Sequence, residues 1–385
     1  MVEGPANGDW TMTSSGDLRR GPSGSVGAWL RARSAGPIRP NSVLFHAPSF
    51  AFQAPGGGEN QLVQTGRHLE DLGVPVRLFD PWTDRIDRFR LIHLFGMSRE
   101  GLELARRARI RGTPVVLSPI CWYQPRALWA LERRPTRKLG GIATWALRRA
   151  FPRLPGWRRE LLNVADAILP NSAAEGRQLQ SLFGIESARV TVVPNGVCPS
   201  FAMASPERFL ERYGERDFVL YVGRIEPRKN VLGLIRAVRP LGLPLVVMGS
   251  VPPESHHYGV LCRKAGDGQV RWIASVDHHD PLLASAYAAA RVFALPSWFE
   301  TPGLAALEAG LAGAAVVITP FGSTREYFGE LVEYAPPDRV AKIRAAVTRG
   351  WERGADPSLA RRIASNYLWT NTAQTTLEVY DQVSR

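Results

Sequence analysis

Two glutamates, Glu300 and Glu308, flank a stretch of this sequence whose residue types suit the binding of an anion and of hydroxyl groups. The chain between them predicts a helix that begins just after Gly303. The backbone amides of Gly303, Leu304 and Ala305 would be unpaired at that helix N-terminus, where a diphosphate can bind. The two carboxylates could accept hydrogen bonds from sugar and ribose hydroxyls. Taken alone, they could equally be solvated acids of a loop and a helix surface.

A second group of charged side chains follows the apolar run Phe218–Val222, in the segment GRIEPRKN at 223–230. Gly223 permits a tight exit from a strand. Arg224 and Lys229 then stand where a strand end meets a helix start, and such cations can clamp a pyrophosphate, Arg as a fork and Lys as a point charge. The alternative is that both are surface charges of a loop.

Strands and helices must position these side chains. Phe218–Val222 and Val292–Leu295 are short apolar runs without alternation, the pattern of parallel strands buried on both faces. Strand and helix patterns alternate along the whole sequence, and this order predicts parallel α/β sheets that bind ligands beyond the carboxyl ends of their strands. After the first strand, Ser42–Phe45, a glycine-rich turn includes Gly57 and Gly58, where a backbone can approach a phosphate or sugar closely.

Composition sets further limits. The 385 residues suffice for two domains, and 45% hydrophobic with 22% charged residues is ordinary for a soluble globular protein. No apolar run approaches the roughly 20 residues of a spanning helix, and no signal-peptide pattern opens the sequence. The histidine pairs 256–257 and 278–279 lack the companion ligands of a metal site. The scattered cysteines predict free thiols in a reducing compartment; they are Cys121, Cys198 and Cys262.

Four motifs, in this order, resemble those of the retaining nucleotide-sugar glycosyltransferases of family 4, which have the GT-B architecture. They are GGGEN at 56–60, PNGV at 194–197, GRIEPRKN at 223–230 and the E-x7-E pair Glu300/Glu308. The resemblance implies an α/β fold of two Rossmann-like, doubly wound parallel-sheet domains that face an interdomain cleft.

The expected domain organisation combines this resemblance with composition. Residues 1–41 are rich in Gly, Ser, Pro and Arg, which predicts a disordered extension. The resemblance implies an N-terminal acceptor domain at 42–200, with Arg189–Val193 as its last strand, and a linker region about Cys198–Arg216. It further implies a nucleotide-sugar domain at 201–365 and a C-terminal helix at 366–385 that crosses back to the first domain.

The implied activity is transfer of a sugar from a nucleoside diphosphate, GDP- or UDP-linked, with retention at the anomeric carbon and without a metal or other cofactor. Arg224, Lys229 and Glu300 would be catalytic. Glu300 would bind hydroxyls of the transferred sugar, Glu308 the donor ribose, and the loop after Val270–Ile273 would border the base. The donor site would be formed by Gly57, Gly58, Gly223, Arg224, Lys229, Gly303, Leu304, Ala305 and Glu308. The acceptor would be a glycan or lipid-linked molecule of envelope or polysaccharide biosynthesis.

One departure from the family pattern concerns the segment after the strand Pro114–Leu117. The family commonly has a histidine there, whereas this chain continues Ser-Pro-Ile-Cys-Trp-Tyr. Either the backbone, Ser118, Trp122 or Tyr123 takes that role, or catalysis is weakened. His93, on the preceding strand, is better interpreted as a satisfied core histidine. The alternatives are therefore a soluble enzyme with a small-molecule acceptor, a sugar-nucleotide epimerase, or a non-catalytic protein that binds sugar nucleotides.

Much of the net charge of +13 lies in the segment 126–160, where Trp and Leu alternate with arginines. A basic helical surface with these residues suits the anionic interface of a bilayer. We therefore expect a cytoplasmic protein, peripheral on the inner face of the plasma membrane. The alternative is that the apolar positions face the core and the arginines are solvated. Nucleic acid is not favoured as a partner, because no recognised binding module accompanies the patch.

Overall fold

The computed structural model describes residues 26–53 and 56–384. Within these ranges the chain forms two sheets whose strands are all parallel, joined by helices. The apolar runs of the sequence lie in the strands, and the polar and glycine-rich segments lie in the loops at the strand ends. The expected α/β class with two doubly wound sheets is confirmed.

The first sheet has five strands in the order β2-β1-β3-β4-β5. Successive residues of each strand face opposite sides, so the sheet separates two cores. Leu44 packs in one core, whereas Val43 and Phe45 pack in the other. The strands are β1 (Val43–His46), β2 (Val76–Leu78), β3 (Leu91–Phe95), β4 (Val115–Ser118) and β5 (Ala167–Ile168).

The second sheet has six strands in the order β11-β10-β9-β6-β7-β8. The chain starts in the middle at β6 and places later strands on both sides, so the order reverses between β6 and β9. Ligands of such sheets bind at this reversal, beyond the carboxyl ends of the strands. The strands are β6 (Val219–Val222), β7 (Leu245–Met248), β8 (Val270–Ile273), β9 (Val292–Leu295), β10 (Ala315–Ile318) and β11 (Glu333–Tyr334).

Helices connect the strands and cover the sheets. In the first half they are α1 (Val26–Ala35), α2 (Gly57–Asp71), α3 (Arg99–Ile110), α4 (Pro125–Leu131), α5 (Pro135–Ala150), α6 (Trp157–Val164) and α7 (Ala173–Phe183). In the second half they are α8 (Glu207–Tyr213), α9 (Val231–Val238), α10 (His256–Ala265), α11 (Pro281–Ala289), α12 (Leu304–Leu311), α13 (Thr324–Phe328), α14 (Val340–Arg353), α15 (Pro357–Asn366) and α16 (Trp369–Val383). Across residues 26–53 and 56–384, no helix has the length and apolarity needed to cross a bilayer.

Helix α16 returns to the first sheet and packs against α2. The hydroxyl of Tyr380 lies 2.6 Å from Nδ1 of His93 on β3, and Arg90 forms a 2.6 Å ion pair with Asp381. The C-terminal helix thereby ties the end of the chain to its first half.

The disorder expected for residues 1–41 is wrong for residues 26–35, which form α1. The indole of Trp29 donates a 2.9 Å hydrogen bond to Glu70 and lies against Gly66, where a β-carbon would come within 2.6 Å of the ring. One well-packed aromatic side chain thus orders a segment whose average composition predicts disorder. Residues 1–25 lie outside the described residues.

Two other expectations need correction. Arg189–Val193 is not a strand, because only Val190 pairs with the sheet, through a single bridge to Ile168. The Arg189 guanidinium instead donates to carbonyls at the end of α6, at 2.9–3.2 Å. The expected linker about Cys198–Arg216 contains α8, which packs on α11 and buries Phe209 in the second core.

Candidate active site

The two loops that carry the expected site residues leave β6 and β9, the strands at which the order of the second sheet reverses. Gly223 and Arg224 directly follow β6, and Glu300 lies in the loop between β9 and α12. The backbone amide of Trp298 donates a 2.9 Å hydrogen bond to the carbonyl of Arg228, so the two loops hold each other. The sheet therefore brings both segments to one edge, as the sequence pattern predicts.

Glu300 is paired with two cations of the β6 loop. Its carboxylate lies 2.6 Å from Nζ of Lys229 and 3.9 Å from Nη1 of Arg228. Burial by itself raises the pKa of Glu300, but the two cations outweigh it and hold this pKa below its usual value. Glu300 is therefore ionised at neutral pH. Sequence reasoning placed Lys229 on a diphosphate and did not foresee this pairing, nor did it select Arg228.

The backbone of the Glu300 loop is also tightly packed. Gly322 has φ +104°, and a β-carbon there would lie 1.9 Å from the carbonyl oxygen of Glu300. Only glycine fits this close approach, which fixes the loop on the neighbouring segment.

Glu308 lies in α12 with both carboxylate oxygens engaged. One oxygen is 2.7 Å from Nε2 of His278, and the other accepts a 2.9 Å hydrogen bond from Tyr287. Burial lowers the pKa of His278, yet Glu308 raises it more, so that the net pKa is above its usual value. His278 stands in the loop after β8, which was expected to border the base. The signal that could have identified it was its place at the carboxyl end of a strand.

The N-terminus of α12 is open. Gly303 has φ +93°, and the first hydrogen bond of the helix runs from Ala306 N to the carbonyl of Gly303 at 2.9 Å. Among the described residues, the amides of Gly303, Leu304 and Ala305 donate no hydrogen bond, so they are free to bind an anion.

The glycine turn of the first sheet faces this helix end. A β-carbon built on Gly56 would lie 3.9 Å from Nη2 of Arg224, and one on Gly57 would lie 3.9 Å from Leu304 Cδ1. Gly58 sits against Ile120 in the loop after β4. The expected site residues from both halves thus line one cleft. Arg224 is about one-third exposed and has Glu226 as a 3.6 Å neighbour, so its guanidinium is accessible in that cleft.

His93 is a core histidine, as expected. It is buried between Tyr380 and Ser118, with Nε2 2.9 Å from the Ser118 hydroxyl, and burial lowers its pKa to about 3. The segment that follows Ser118 is held by Glu175, whose carboxylate accepts 2.7 and 2.8 Å hydrogen bonds from the amides of Cys121 and Asn171. Burial raises the pKa of Glu175 to about 7, against those two hydrogen bonds.

The histidine pairs do not form a metal site. Within the described residues, no group of three or more His, Cys, Asp or Glu side chains is arranged to hold a metal ion. His278 instead binds Glu308, and His279 Nε2 lies 3.0 Å from Nη1 of Arg67 on α2.

Comparison with known proteins gives two family matches. Residues 206–364 match the model described as glycosyl transferases group 1, and residues 61–196 match the glycosyl transferase 4-like domain. A D-inositol 3-phosphate glycosyltransferase of Kineococcus radiotolerans is 30% identical, with 58% of each chain covered. The O-antigen chain mannosyltransferase B of Escherichia coli is 29% identical over 57% of this chain and 62% of its own. The chain therefore spans less than two thirds of the length of these relatives.

Solved structures share the whole architecture. HepE of Anabaena, in complex with UDP-glucose, superposes with a TM-score of 0.66 over 89% of this chain and 99% of its own, at 16% identity. The two family models together match both halves of the chain, and the two sheets with their facing cleft have the same arrangement. The chain belongs to the glycosyltransferases of group 1, the family 4 type, and has the GT-B fold.

Proposed function

We propose that this protein transfers a sugar from a nucleoside-diphosphate donor to an acceptor hydroxyl, with retention at the anomeric carbon. The observation that carries the proposal is the cleft in which Arg224, the free amides of α12 and the ionised Glu300 converge. HepE, which has the same fold, was solved with UDP-glucose, so UDP and GDP donors are the first to test.

The residues would divide the chemistry as follows. The bond from the anomeric carbon to the diphosphate breaks, a bond to the acceptor oxygen forms, and the acceptor proton leaves with the diphosphate. Negative charge then grows on the leaving group, where Arg224 and the amides of Leu304 and Ala305 would stabilise it electrostatically. Lys229 lies within reach of the same loop and would shift between Glu300 and the diphosphate.

Donor recognition would use both halves of the cleft. Gly57 and Gly58 would allow the backbone of the α2 N-terminus to approach the donor, and Gly223 would do the same after β6. Glu308, oriented by His278 and Tyr287, would accept hydrogen bonds from the ribose. These groups supply the charge complement of a diphosphate without a metal, so we propose a metal-independent reaction.

The proposed acceptor is a glycan or lipid-linked molecule of envelope or polysaccharide biosynthesis. Support comes from the O-antigen chain mannosyltransferase among the relatives and from the surface of α4 and α5. Helix α5 has sixteen residues, and none of them is buried. Large apolar side chains on this surface are half exposed or more, namely Trp129 (54%), Leu139 (61%), Leu147 (51%) and Phe151 (60%).

We define the basic helix pair as residues 125–151, which includes α4 and α5. Exposed arginines, among them Arg133, Arg134, Arg137 and Arg149, accompany its apolar side chains. Cations with exposed Trp and Leu suit an anionic bilayer surface, and we propose that the protein binds the inner face of the plasma membrane there. The alternative of a core-facing apolar stripe has one supporting residue, Trp145, which packs partly buried against the first core.

The test of the donor clamp is Arg224→Ala. Because a single donor to a developing anion contributes a factor of roughly 10² or more to the rate, turnover should fall by about that factor while the melting temperature stays unchanged. Arg216→Ala, at an exposed position away from the cleft, is the matched control. Near-normal turnover of Arg224→Ala with a working UDP or GDP donor would show that the clamp is wrong.

Calorimetry with UDP and GDP completes this test. Wild-type protein should bind one of them, with weaker binding by Arg224→Ala and unchanged binding by Arg216→Ala. Nucleotide binding without turnover over a broad acceptor panel would instead indicate a non-catalytic member, an alternative favoured by the missing histidine after β4.

A further inference from the structure

A cavity of about 430 Å³ lies under the basic helix pair and opens toward the cleft. Its size falls within the roughly 300–1,000 Å³ of small-molecule sites. The loop after β4, helices α4 and α5, and one residue of the second half form its walls. The side chains that matter are Trp122, Tyr123, Leu128, Leu131, Trp145 and Phe299.

The cavity reaches the proposed reaction centre. Phe299 precedes Glu300 in the chain, and the guanidinium of Arg228 stacks over the Phe299 ring at 5.3 Å while donating to its carbonyl at 3.3 Å. Helix α4 also packs against the short turn Pro227–Lys229, which carries the lysine paired with Glu300. A molecule in the cavity would therefore have one end beside the carboxylate that is assigned to the transferred sugar.

The wall is apolar and aromatic. Such a surface disfavours a sugar, because most hydroxyls would lose water without gaining a partner. One polar group interrupts it: the indole N–H of Trp122 is buried and has no hydrogen-bond partner among the described residues. Buried Trp N–H groups usually have an acceptor, so this one suits a single oxygen on an otherwise apolar ligand.

Close packing shapes the cavity rather than closing it. Gly141 of α5 faces Leu128 of α4, and a β-carbon at Gly141 would lie 2.5 Å from that side chain. The two helices thus approach each other at this point, while Leu131 and Trp145 remain on the cavity wall. The outer surface of the same helices carries the half-exposed apolar residues and the arginines of the basic helix pair.

We propose that this cavity binds the hydrocarbon portion of the acceptor, so that the acceptor hydroxyl reaches the cleft beside Glu300. The proposal rests on the proposed function, which it deepens by naming an amphiphilic acceptor with a hydrocarbon chain next to its polar end. The donor is assigned elsewhere, between the glycine turn, Arg224 and Glu308. Continuity with the exposed apolar and cationic surface gives the chain a path from a membrane into the cavity.

The experiment compares octyl β-D-glucoside with methyl β-D-glucoside by calorimetry, below the micelle concentration and without donor. Each buried methylene strengthens binding by about four-fold, so the octyl compound should bind at least about ten-fold more tightly than the methyl compound. Leu128→Trp, which fills the cavity, should weaken octyl binding by about ten-fold or more. Trp122→Phe, which removes only the N–H, should weaken it less.

Leu139→Ser is the matched control, since Leu139 is exposed on the outer side of α5. Its octyl binding should equal that of the wild type. Octyl binding that survives Leu128→Trp but is lost in Leu139→Ser would show adsorption on the surface and overturn the proposal, as would equal affinity for the two glucosides. If Leu128→Trp lacks a normal melting transition, Leu131→Asn, which places an amide on the cavity wall, replaces it with the same expected loss.

Donor binding separates this proposal from the proposed function. Octyl binding is measured without nucleotide, so Arg224→Ala should retain it while losing affinity for UDP or GDP. Failure of nucleotide binding in the wild type would contradict the donor assignment alone, whereas failure of octyl binding would contradict the cavity assignment alone.

Discussion

At the level of single residues, each carboxylate of the cleft has protein partners before any ligand binds. Glu300 is held by Lys229, and Glu308 by His278 and Tyr287. A carboxylate oxygen can accept more than one hydrogen bond, so these partners orient the groups without preventing sugar or ribose hydroxyls from binding. Orientation by fixed neighbours is the usual requirement for a precise binding site.

The two glutamates should differ when each is replaced by glutamine. Glu308→Gln should weaken binding of the free nucleoside diphosphate by about ten-fold or more, because a hydrogen bond to a charged group contributes roughly 1.5–3 kcal/mol. Glu300→Gln should leave that binding nearly intact and lower turnover with the intact sugar nucleotide. Calorimetry with UDP, GDP and their sugar nucleotides measures both effects, and the reverse pattern would contradict the assignment.

His278 should make stability depend on pH. Its raised pKa means that the folded protein keeps the proton longer than the unfolded chain, so the stabilisation is fully present below the unfolded pKa of about 6.5. It is lost as the pH rises through the folded pKa. The neighbouring charged groups are Glu308, Asp277 and Arg67, with His279 beside them. The melting-temperature difference between wild type and His278→Gln should therefore be larger at pH 6.5 than at pH 8.5.

His93→Gln is the control for this pH dependence. Because burial lowers the pKa of His93 to about 3, the residue is neutral in the folded protein throughout this range. The difference between wild type and His93→Gln should stay nearly constant from pH 6.5 to 8.5. A His278 difference that is equally constant would show that the pair with Glu308 carries no proton-linked stability.

At the level of elements, the basic helix pair combines structural and exposed cations. The Arg148 guanidinium lies 5.0 Å from the Phe183 ring centroid and donates to the carbonyls of Leu154 and Pro155. Arg149 and Arg137 are exposed instead. The sequence presents Arg148 and Arg149 as equivalent, whereas in the structure only the latter is available to a membrane. A charge reversal at Arg148 would also disturb the packing of α5.

Exposed arginines of this helix should control liposome binding. Each contributes on the order of 1 kcal/mol at an anionic surface, so the double change Arg137→Glu with Arg149→Glu should sharply reduce co-sedimentation with anionic liposomes. High salt should weaken wild-type binding in part, since insertion of apolar side chains is not screened. The double change Leu139→Ser with Leu147→Ser should remove the portion that resists salt.

A matched charge reversal elsewhere controls for net charge. Arg107→Glu with Arg109→Glu alters two exposed arginines of α3 by the same amount and should leave liposome binding nearly unchanged. Equal loss in both double variants would indicate a nonspecific charge effect, and an equal loss of DNA binding would indicate a nucleic-acid surface. Absence of wild-type liposome binding would contradict the membrane proposal.

At the level of the whole molecule, the chain passes between its two halves twice, and the two crossings touch. The amide of Val197 donates a 2.8 Å hydrogen bond to the carbonyl of Tyr367, and Thr372 bonds to the carbonyl of Pro194 at 2.7 Å. A separate contact joins the halves where Glu326 accepts hydrogen bonds from the first amides of α7 at 2.7 and 3.0 Å. These contacts hold the two sheets with their carboxyl ends facing one cleft.

Gly196 should be essential at this crossing. A β-carbon there would lie 2.2 Å from backbone atoms of Leu368 and Trp369, and backbone yields less readily than a flexible side chain. Gly196→Ala should therefore lower the free energy of unfolding by at least about 1–3 kcal/mol, the usual cost of overpacking. Chemical denaturation followed by circular dichroism measures this change.

Gly140→Ala is the opposite case and serves as control. Gly140 lies within α5 with no atom within 4 Å of a built β-carbon, so alanine should be neutral or stabilise the helix by up to about 1 kcal/mol. Equal stability of the two variants would show that the crossing tolerates separation.

Local patterns in the sequence determined the strands and the loops between them. Val292–Leu295 and Val270–Ile273 form strands at the predicted residues, because short buried apolar runs with turn residues at both ends have few other stable conformations. Parallel strands place their carboxyl ends together, so the proximity of Arg224 and Glu300 also followed from pattern alone. The prediction failed where one side chain outweighed the local pattern, at Trp29 in α1 and at Arg189 before Pro194.

Only the tertiary structure decided which partners these residues have. The pairing of Lys229 with Glu300 joins positions 71 residues apart, and His278 reaches Glu308 across 30 residues. Hydrogen bonds and ion pairs of this kind depend on distances of a few tenths of an ångström between separate elements, which composition and periodicity do not encode. The cavity under α4 and α5 likewise arises from the angle at which helices pack on the loop after β4. Sequence spacing identified the charged groups, and the packing of the two halves determined their partners.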